Sequence, residues 1–248
     1  MKFILLLLSL HAVVVFAQNY TDASGKKQGK WVKYYPNGHI SIYEGVFKDD
    51  HPVGEFRYYY PSGKVKTIVQ HETKTRSYAW FYFENEQIMS EGQYVNMQKD
   101  SVWKTYNVQG FLISSESYAK NKLNGQKIMY YVQDQLENGD LKIFQIETYK
   151  DSVLHGEFTA YFSSGIKMEY GRYELGKKVG RWETFHPSGN VATQVKFRKG
   201  MAYGYAVAFD DKGQEQYRSY WLDGKVLKGE ELKKYFAQCQ KNGISPEE

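Results

Sequence analysis

Short runs rich in aromatic and β-branched residues fill most of this chain, and polar turn residues separate them. The run "VATQVKFR" at 191–198 is one example. Such runs are typical of β-strands with a half-buried surface. The triplets Pro61-Ser62-Gly63 and Pro187-Ser188-Gly189 read as turns, because Pro pre-sets φ and Gly supplies a positive φ after it. The pattern therefore predicts a succession of β-hairpins.

The hairpins follow a repeat. "GKWVKYYPNGHI" at 29–40 and "GRWETFHPSGNV" at 180–191 share Gly, Trp, Pro and Gly at matching positions. A spacing of nine residues between two glycines recurs, and it defines eight units that start at 29, 54, 77, 101, 125, 156, 180 and 204. The structural repeat positions that this register predicts are Gly29, Trp31, Gly38, Gly54, Gly63, Gly110, Gly125, Gly156, Gly165, Gly180, Trp182, Gly189, Gly204 and Gly213.

Two units depart from the repeat. In unit three, Ser77 and Glu86 stand where the two glycines are expected, and in unit five extra residues around "QDQLE" separate Gly125 from Gly139. We therefore expect the sheet to bend, bulge or be interrupted around 77–100 and 125–156.

Neighbouring hairpins must pair, because a lone hairpin is only marginally stable in water. The prediction is an all-β fold over residues 18–226: an elongated, single-layer antiparallel meander of about eight hairpin repeats. In the tail, 227–248, Leu232, Tyr235, Phe236 and Cys239 recur at helical spacing. They predict a short C-terminal α-helix that caps the last repeat.

Residues 1–17 read as a signal peptide. Lys2 precedes an apolar run from Phe3 to Phe16, and Ala17 supplies the small residue expected at a cleavage site. The sequence therefore predicts a secreted, periplasmic or cell-envelope protein after cleavage near Ala17. Cys239 is the only cysteine, so the chain has no internal disulfide framework.

The repeat resembles a known family. "GKWVKYYPNG" followed by "EGVFKDDHPVG", together with "GRWETFHPSG", is similar to the MORN repeat, and specifically to the bacterial MORN variant whose members are often labelled antitoxin components. The resemblance covers about residues 25 to 225. It implies an elongated, twisted, single-layer β-sheet that serves as a protein-binding or lipid-adjacent platform, with the motif positions in structural roles.

No catalytic or metal-binding motif stands out. The histidines are scattered without metal-ligand spacing, and the chain has no nucleophile elbow and no phosphate-binding glycine loop. The formal net charge of +5, with both signs interspersed, is not that of a nucleic-acid-binding protein. We therefore expect no enzyme activity, no cofactor, no metal and no nucleic acid. An active site within 120–150 is the enzymatic alternative.

The leading functional hypothesis is a non-enzymatic secreted or envelope repeat protein that acts as a protein-binding scaffold. Its partner would be a protein or an envelope polymer, and lysine pairs such as Lys177-Lys178 leave an anionic membrane surface as a further contact. A cell-wall or glycan-binding module, with rings such as Trp31 and Trp182 stacking on sugars, is one alternative. An antitoxin-like partner-binding protein is the other.

Overall fold

The computed structural model describes residues 18–36 and 38–246, which form one open antiparallel sheet with two short helices. The signal peptide predicted at 1–17 lies outside the described residues, as does Asn37 in the first Pro-Asn-Gly turn. Each strand pairs with the next one along the chain, from the first strand to the eighteenth. The predicted meander is confirmed.

The strands are β1 (Tyr20–Thr21), β2 (Lys27–Tyr34), β3 (Ser41–Lys48), β4 (His51–Tyr59), β5 (Val65–His71), β6 (Arg76–Tyr82), β7 (Ile88–Val95), β8 (Gln98–Tyr106), β9 (Leu112–Ala119), β10 (Lys122–Tyr130), β11 (Ile143–Lys150), β12 (Val153–Tyr161), β13 (Lys167–Glu174), β14 (Lys177–Phe185), β15 (Val191–Arg198), β16 (Met201–Phe209), β17 (Glu215–Leu222) and β18 (Lys225–Leu227). The helices are α1 (Val132–Asn138), between β10 and β11, and α2 (Gly229–Lys241).

Two kinds of turn alternate along the meander, one at each edge of the sheet. At the first, the Gly63 N–H donates to the Tyr60 carbonyl at 2.9 Å, and Gly63 has φ 86°. At the second, Asp49 and Asp50 form a two-residue hairpin turn with φ values of 52° and 66°. Both residues of such a turn need positive φ, which Asp tolerates.

The first glycine of a unit marks a bulge. In β4, Val53 pairs with Val46 and Arg57 pairs with Glu44, so three residues of β4 lie opposite the single residue Gly45. Gly54 begins this bulge with φ 68°, which explains why glycine is favoured there.

The sheet continues through unit three. Ser77 lies in regular pairing, and β5 and β6 match without a register shift, so this unit has no bulge at its start. The second glycine position is occupied by Glu86, which takes φ 71°. The sheet is not interrupted around 77–100, and the register shifts in this range lie between Phe81 and Tyr82 and between Glu91 and Gln93, not at Ser77.

The sheet also continues through unit five. Strands β10 and β11 pair directly, and the extra residues leave the sheet as α1. The side chain of Gln135 in α1 accepts a hydrogen bond from the Leu112 N–H at 3.0 Å and donates one to the Leu112 carbonyl at 2.8 Å. The insertion is therefore a helix fastened to the turn edge of the preceding unit.

Buried rings lie on one face of the sheet, which we call the packed face. Its buried residues in the central row are Phe56, Ala79, Trp103, Phe158 and Trp182. Glycines in the neighbouring strands make room for the rings, because a Cβ atom at Gly45, Gly92 or Gly171 would overlap the ring of Phe56, Trp103 or Trp182. Rings can thus lie against backbone, and the single layer buries apolar area without a second sheet.

Lysine side chains cover the tryptophans of the packed face. In three units a lysine lies four residues before the tryptophan, with its Nζ atom 4.8 Å, 4.2 Å and 3.7 Å from the indole centroid. The three pairs are Lys27 with Trp31, Lys99 with Trp103, and Lys178 with Trp182. The methylene stems shield the rings, while the ammonium groups make cation–π contacts.

The turns of successive units are hydrogen-bonded to one another. At one edge, the Tyr35 hydroxyl donates to the Tyr59 carbonyl at 2.9 Å, a contact that links unit one to unit two. At the other edge, the Asn121 N–H donates to the Lys99 carbonyl at 3.0 Å, and the Lys99 N–H donates back to Asn121 Oδ1 at 2.6 Å. These contacts hold each unit in register with its neighbours.

Both ends of the sheet are capped. At the first end, the side-chain amide of Asn19 accepts from the Val32 N–H at 2.8 Å and donates to the Val32 carbonyl at 3.0 Å, as a neighbouring strand would. At the last end, α2 packs Phe236 against Tyr220 with ring centroids 5.0 Å apart, and Cys239 is buried. The predicted C-terminal helix is confirmed. Asn19 occupies backbone groups that would otherwise pair with another strand, and α2 covers rings on the sheet face at the last unit.

The ring-on-glycine packing can be tested with Gly171→Ala. The added methyl group overlaps the Trp182 ring, so we expect a loss of about 1–3 kcal/mol in the free energy of unfolding, measured in urea. The same change in a Trp182→Leu background should cost clearly less, because the smaller side chain can move aside. Equal costs in the two backgrounds would contradict this packing model.

Candidate functional site

The predicted repeat positions lie in the framework of the sheet and do not converge on a site. The first glycines of the units have positive φ at the strand bulges, namely Gly29, Gly54, Gly125, Gly156, Gly180 and Gly204. The second glycines close turns with positive φ, namely Gly38, Gly63, Gly110, Gly165, Gly189 and Gly213. Trp31 and Trp182 lie on the packed face, each beneath a lysine.

This packing leaves little of the tryptophan for a sugar. Trp182 is only 4% exposed, and Trp103 only 2%. A sugar ring stacks on a free aromatic face, and here Lys178 and Lys99 occupy that position. Trp103 and Trp182 therefore offer little free ring surface to a sugar, whereas Trp31, which the glycan-binding alternative also named, is only partly buried.

Five units carry an aromatic pair, namely Tyr34-Tyr35, Tyr59-Tyr60, Tyr82-Phe83, Tyr130-Tyr131 and Tyr161-Phe162, and the other three carry a single ring at the first position. The two rings of a pair have separate functions that the sequence pattern does not distinguish. In unit two the pair is Tyr59 and Tyr60. The Tyr60 hydroxyl donates to the Tyr82 carbonyl at 2.7 Å and so joins adjacent units at the turn edge. The Tyr59 side chain instead lies on the face opposite the packed face, where its hydroxyl hydrogen-bonds to Glu44.

The ring at the first of these two positions in each unit lies on the face opposite the packed face, and together these rings form a stripe. We call this face the tyrosine face. The members of the stripe are Tyr34, Tyr59, Tyr82, Tyr106, Tyr130, Tyr161, Phe185 and Phe209, one per unit. Two strands per unit at about 4.8 Å each place successive rings about 10 Å apart. Tyr34 is 47% exposed, and the other rings are half-buried. In the described part of the chain no second sheet covers this stripe, and α2 packs on the same face only at the last unit, against Tyr205 and Tyr220.

Carboxylates hold two of these tyrosines. The Tyr106 hydroxyl donates to Glu91 at 2.7 Å, as the Tyr59 hydroxyl does to Glu44. Partial burial, followed by the hydrogen bond from the neutral phenol to Glu44, raises the pKa of Tyr59 to about 12. Arg57 lies opposite Glu44 in the strand register, and its partly exposed guanidinium donates from Nε to Glu55 at 2.5 Å. The N-terminal half of the tyrosine face thus combines fixed aromatic rings with charged groups of both signs.

The two faces exchange polarity in the middle of the sheet. On the packed face, where other units have a ring or a small residue, Glu116, Lys127 and Glu147 lie side by side. The Lys127 Nζ atom is 3.2 Å from Glu116, and the Tyr118 hydroxyl donates to the same carboxylate at 2.8 Å. The Tyr149 hydroxyl makes the equivalent contact with Glu147, also at 2.8 Å.

On the tyrosine face of the same strands the side chains become less polar. Ile128 and Ile146 lie directly opposite each other on β10 and β11, with Ser115 beside Ile128 on β9. The outer strands at this level carry Lys104 on β8 and Thr159 on β12. A partly exposed aliphatic pair therefore lies in the centre of this face, which also carries the exposed pair Val46 and Val53 in the N-terminal units. The exchange is visible only after the strands are paired, because the bulges shift the alternation of side chains between the two faces from one strand to the next.

Two of the scattered histidines line one groove. The groove has a volume of about 540 Å³ and lies at the turn edge, with His51 and His71 among its lining residues together with Lys48, Glu72 and Lys74. Burial lowers the pKa of His71. Within 18–36 and 38–246, no group of three His, Cys, Asp or Glu side chains is placed to hold a metal ion.

Residues 120–150, where the enzymatic alternative placed an active site, form two strands and a helix. Residues 122–130 form β10, residues 132–138 form α1, and residues 143–150 form β11. Neither helix in the described residues is both long and apolar enough to cross a bilayer.

Comparison with known proteins identifies the repeat type in part of the chain. Residues 27–49, 52–72 and 178–199 each match the MORN repeat variant family. The MORN repeat is a non-catalytic type that often binds proteins or membranes. The antitoxin interpretation receives no support. No curated protein matches the chain.

One solved structure aligns with the chain only weakly. A crystal structure of a GtfA/B complex bound to UDP and GlcNAc aligns over 59% of this chain and 26% of that chain, with 10% identity and a TM-score of 0.22. The aligned part is a small share of that protein, and an alignment at this score supports no conclusion about fold or function.

Deprotonation of the tyrosines at alkaline pH should lower the stability of the sheet. The pKa values of Tyr59 and Tyr118 are each raised to about 12, above the value of about 10 for an unfolded chain. The folded state therefore favours the neutral phenols. Their stabilising contribution is complete below about pH 10 and is lost as the pH rises towards 12. We expect the free energy of unfolding in urea to fall over this range.

The double variant Tyr59→Phe and Tyr118→Phe is the control for this titration, since it removes two of the titrating phenols. Its stability should fall less steeply above pH 10 than that of the natural sequence. Identical pH profiles for the two proteins would show that these phenols do not contribute to the alkaline loss of stability.

Proposed function

We propose that this chain is a non-enzymatic, exported repeat protein whose tyrosine face binds a protein partner. The observation that carries the proposal is the stripe of eight aromatic side chains, one per unit, on a face that no second sheet covers and that α2 covers only at the last unit. Tyrosine suits protein interfaces, because its ring supplies contact area at a low entropic cost while its hydroxyl remains able to bond with polar groups.

The first two units supply the most accessible part of this surface. Tyr34 is 47% exposed, and Tyr59 lies next to the exposed guanidinium of Arg57. Aromatic rings and arginine are the residue types that dominate binding energy at protein interfaces. The hydrogen bond to Glu44 holds Tyr59 in one orientation, so less side-chain freedom is lost when a partner binds.

The spacing of the stripe favours an extended partner surface. Successive rings are about 10 Å apart, and an extended segment advances about 3.3 Å per residue. A partner segment lying along the stripe would therefore meet a ring about once every three residues. This repeated contact supports a protein scaffold over a module that grips one small ligand.

Export is proposed on the sequence of residues 1–17 alone. The described part of the chain is compatible with cleavage after Ala17, because Asn19 is already in its capping position against Val32 only two residues later.

The binding proposal is tested with a Tyr34→Ser and Tyr59→Ser double variant. A partner would first be captured from envelope proteins by the natural chain, then purified and titrated against both proteins by calorimetry. Loss of two ring contacts should weaken binding by at least about tenfold. The circular dichroism spectrum should be unchanged, because both rings lie on the uncovered face.

Tyr217→Ser is the matched control. Tyr217 is 59% exposed but lies on the packed side of β17, so its loss should leave the affinity unchanged. Equal weakening by both variants would place the contact elsewhere. Retention of the chain on insoluble cell-wall polysaccharide, without any protein partner, would favour the polymer-binding alternative.

The export proposal is tested by mass spectrometry of the N-terminus after cell fractionation. We expect a mature chain that begins at Gln18 in the envelope or extracellular fraction. A chain that retains Met1 and remains in the cytosol would contradict the proposal.

A further inference from the structure

A positively charged pocket lies on the tyrosine face next to α2. It has a volume of about 230 Å³, and its charged lining residues are Arg181 on β14, Lys196 on β15 and Arg218 on β17. None of its described lining residues is an aspartate or a glutamate. Tyr205 lines the pocket on the side of the helix, where its ring centroid is 6.5 Å from that of Phe236 in α2. The pocket therefore lies where the tyrosine face meets the C-terminal cap.

Strand pairing brings like charges together in this pocket. Arg181 and Lys196 lie directly opposite each other on β14 and β15, and like charges in this position destabilise a sheet. Two carboxylates pair with the arginines: Glu183 lies 3.9 Å from Arg181, and Glu215 accepts a hydrogen bond from Arg218 at 2.6 Å. Neither of these carboxylates lines the pocket. The pocket thus has the charge and the N–H donors to bind a further anionic group.

The segment that follows α2 is fastened close to this pocket. The Tyr220 hydroxyl donates a hydrogen bond to the Pro246 carbonyl. Tyr220 is only 2% exposed, and it lies opposite Tyr205 in the strand register, with the two ring centroids 5.1 Å apart. Residue 246 is therefore held one strand away from a residue that lines the pocket. Glu247 and Glu248, which we call the acidic pair, follow Pro246 in the sequence and lie outside the described residues.

The acidic pair is within reach of the pocket. Lys196 on β15 is two strand spacings, about 10 Å, from Tyr220 on β17. Two extended residues span about 7 Å, and the side chains of a lysine and a glutamate are long enough to cover the remainder. Arg218 is nearer still, because it lies only two residues before Tyr220 on the same strand. Charge and distance therefore both favour the acidic pair as the occupant of the pocket.

We propose that the pocket is a carboxylate-binding site and that Glu247 and Glu248 of the same chain occupy it. A glutamate carboxylate between Arg181 and Lys196 offsets the repulsion between these two cations and accepts charge-assisted hydrogen bonds from them. The acidic pair then closes the C-terminal end of the tyrosine face beside α2, and the rings of units one and two stay uncovered. The inference goes beyond the proposed partner binding and does not depend on it.

Carbodiimide cross-linking of the purified chain tests the contact, because this reagent joins an amine to a carboxylate only where the two groups are adjacent. We expect a cross-link from Lys196 to Glu247 or Glu248 within one chain, identified by mass spectrometry. The exposed pair Lys225 and Glu231, with 3.2 Å between Nζ and Oε1, is the internal positive control. The control cross-link without one at Lys196 would overturn the proposal, and so would a Lys196 cross-link found only between two copies.

Arg181→Gln with Arg218→Gln should lower the yield of this cross-link at least about threefold, because two charges that attract the acidic pair are lost while Lys196 can still react. Lys30→Gln with Lys104→Gln is the matched control. It removes the same charge from the tyrosine face, but from strands β2 and β8, and should leave the yield unchanged. An equal loss of yield in both variants would assign the effect to net charge and overturn the proposed site.

Glu247→Gln with Glu248→Gln gives a second test that needs no cross-linking. The pocket of this variant should bind inorganic sulfate at least about threefold more tightly than that of the natural sequence, because a tethered carboxylate no longer competes for it. Sulfate binding is followed by NMR through the Nε–H resonances of Arg181 and Arg218. Equal affinity in the two proteins, or no binding to the variant, would overturn the proposal. Partner binding by units one and two is measured separately, so the failure of one proposal is distinguishable from the failure of the other.

Discussion

The fold depends on one contact, the packing of an aromatic ring against the backbone of the neighbouring strand. A single-layer sheet has no second layer in which to bury side chains, and this chain has almost no other apolar interior. Trp103 and Trp182 become nearly inaccessible because Gly92 and Gly171 let the indoles lie against backbone and because lysine stems cover them from above. Each unit therefore takes its stability from its neighbours, as expected of a repeat protein.

That contact also determines where function can be located. Rings that stabilise the packed face are engaged with glycine, lysine and other rings, so they are poorly placed to bind a ligand. The stripe of aromatic residues on the tyrosine face is free of such packing over most of its length, and two of its hydroxyls bond to Glu44 and Glu91. The packed rings and the rings proposed for recognition thus lie on opposite sides of one sheet, although they are close together in the sequence of each unit.

Departures from the repeat differ in their structural consequences. Unit three loses a glycine because its hairpin has no bulge at Ser77, and its pairing becomes more regular. Unit five instead inserts α1 and exchanges the polarity of its two faces, with Lys127 on one side and Ile128 on the other. The missing glycine in the first case is a local backbone adjustment, whereas the second case places charged residues on the packed face where other units bury a ring or a small residue.

The sequence alone determined the hairpin period, the turn positions and the C-terminal helix, because each depends on local chemistry: glycine at positive φ, aromatic and β-branched residues in strands, and apolar residues at helical spacing. It also identified the aromatic pairs without separating their functions. Only the tertiary structure decided that Tyr60 joins units at the edge while Tyr59 faces outward, and that Ile128 and Ile146 meet across two strands. The reason is physical. Alternation along the sequence tells which residues of one strand share a face. It does not tell which residues of the next strand lie on that same face, because each bulge adds residues to one strand and shifts the alternation. The composition of a face is therefore known only when the strands pair.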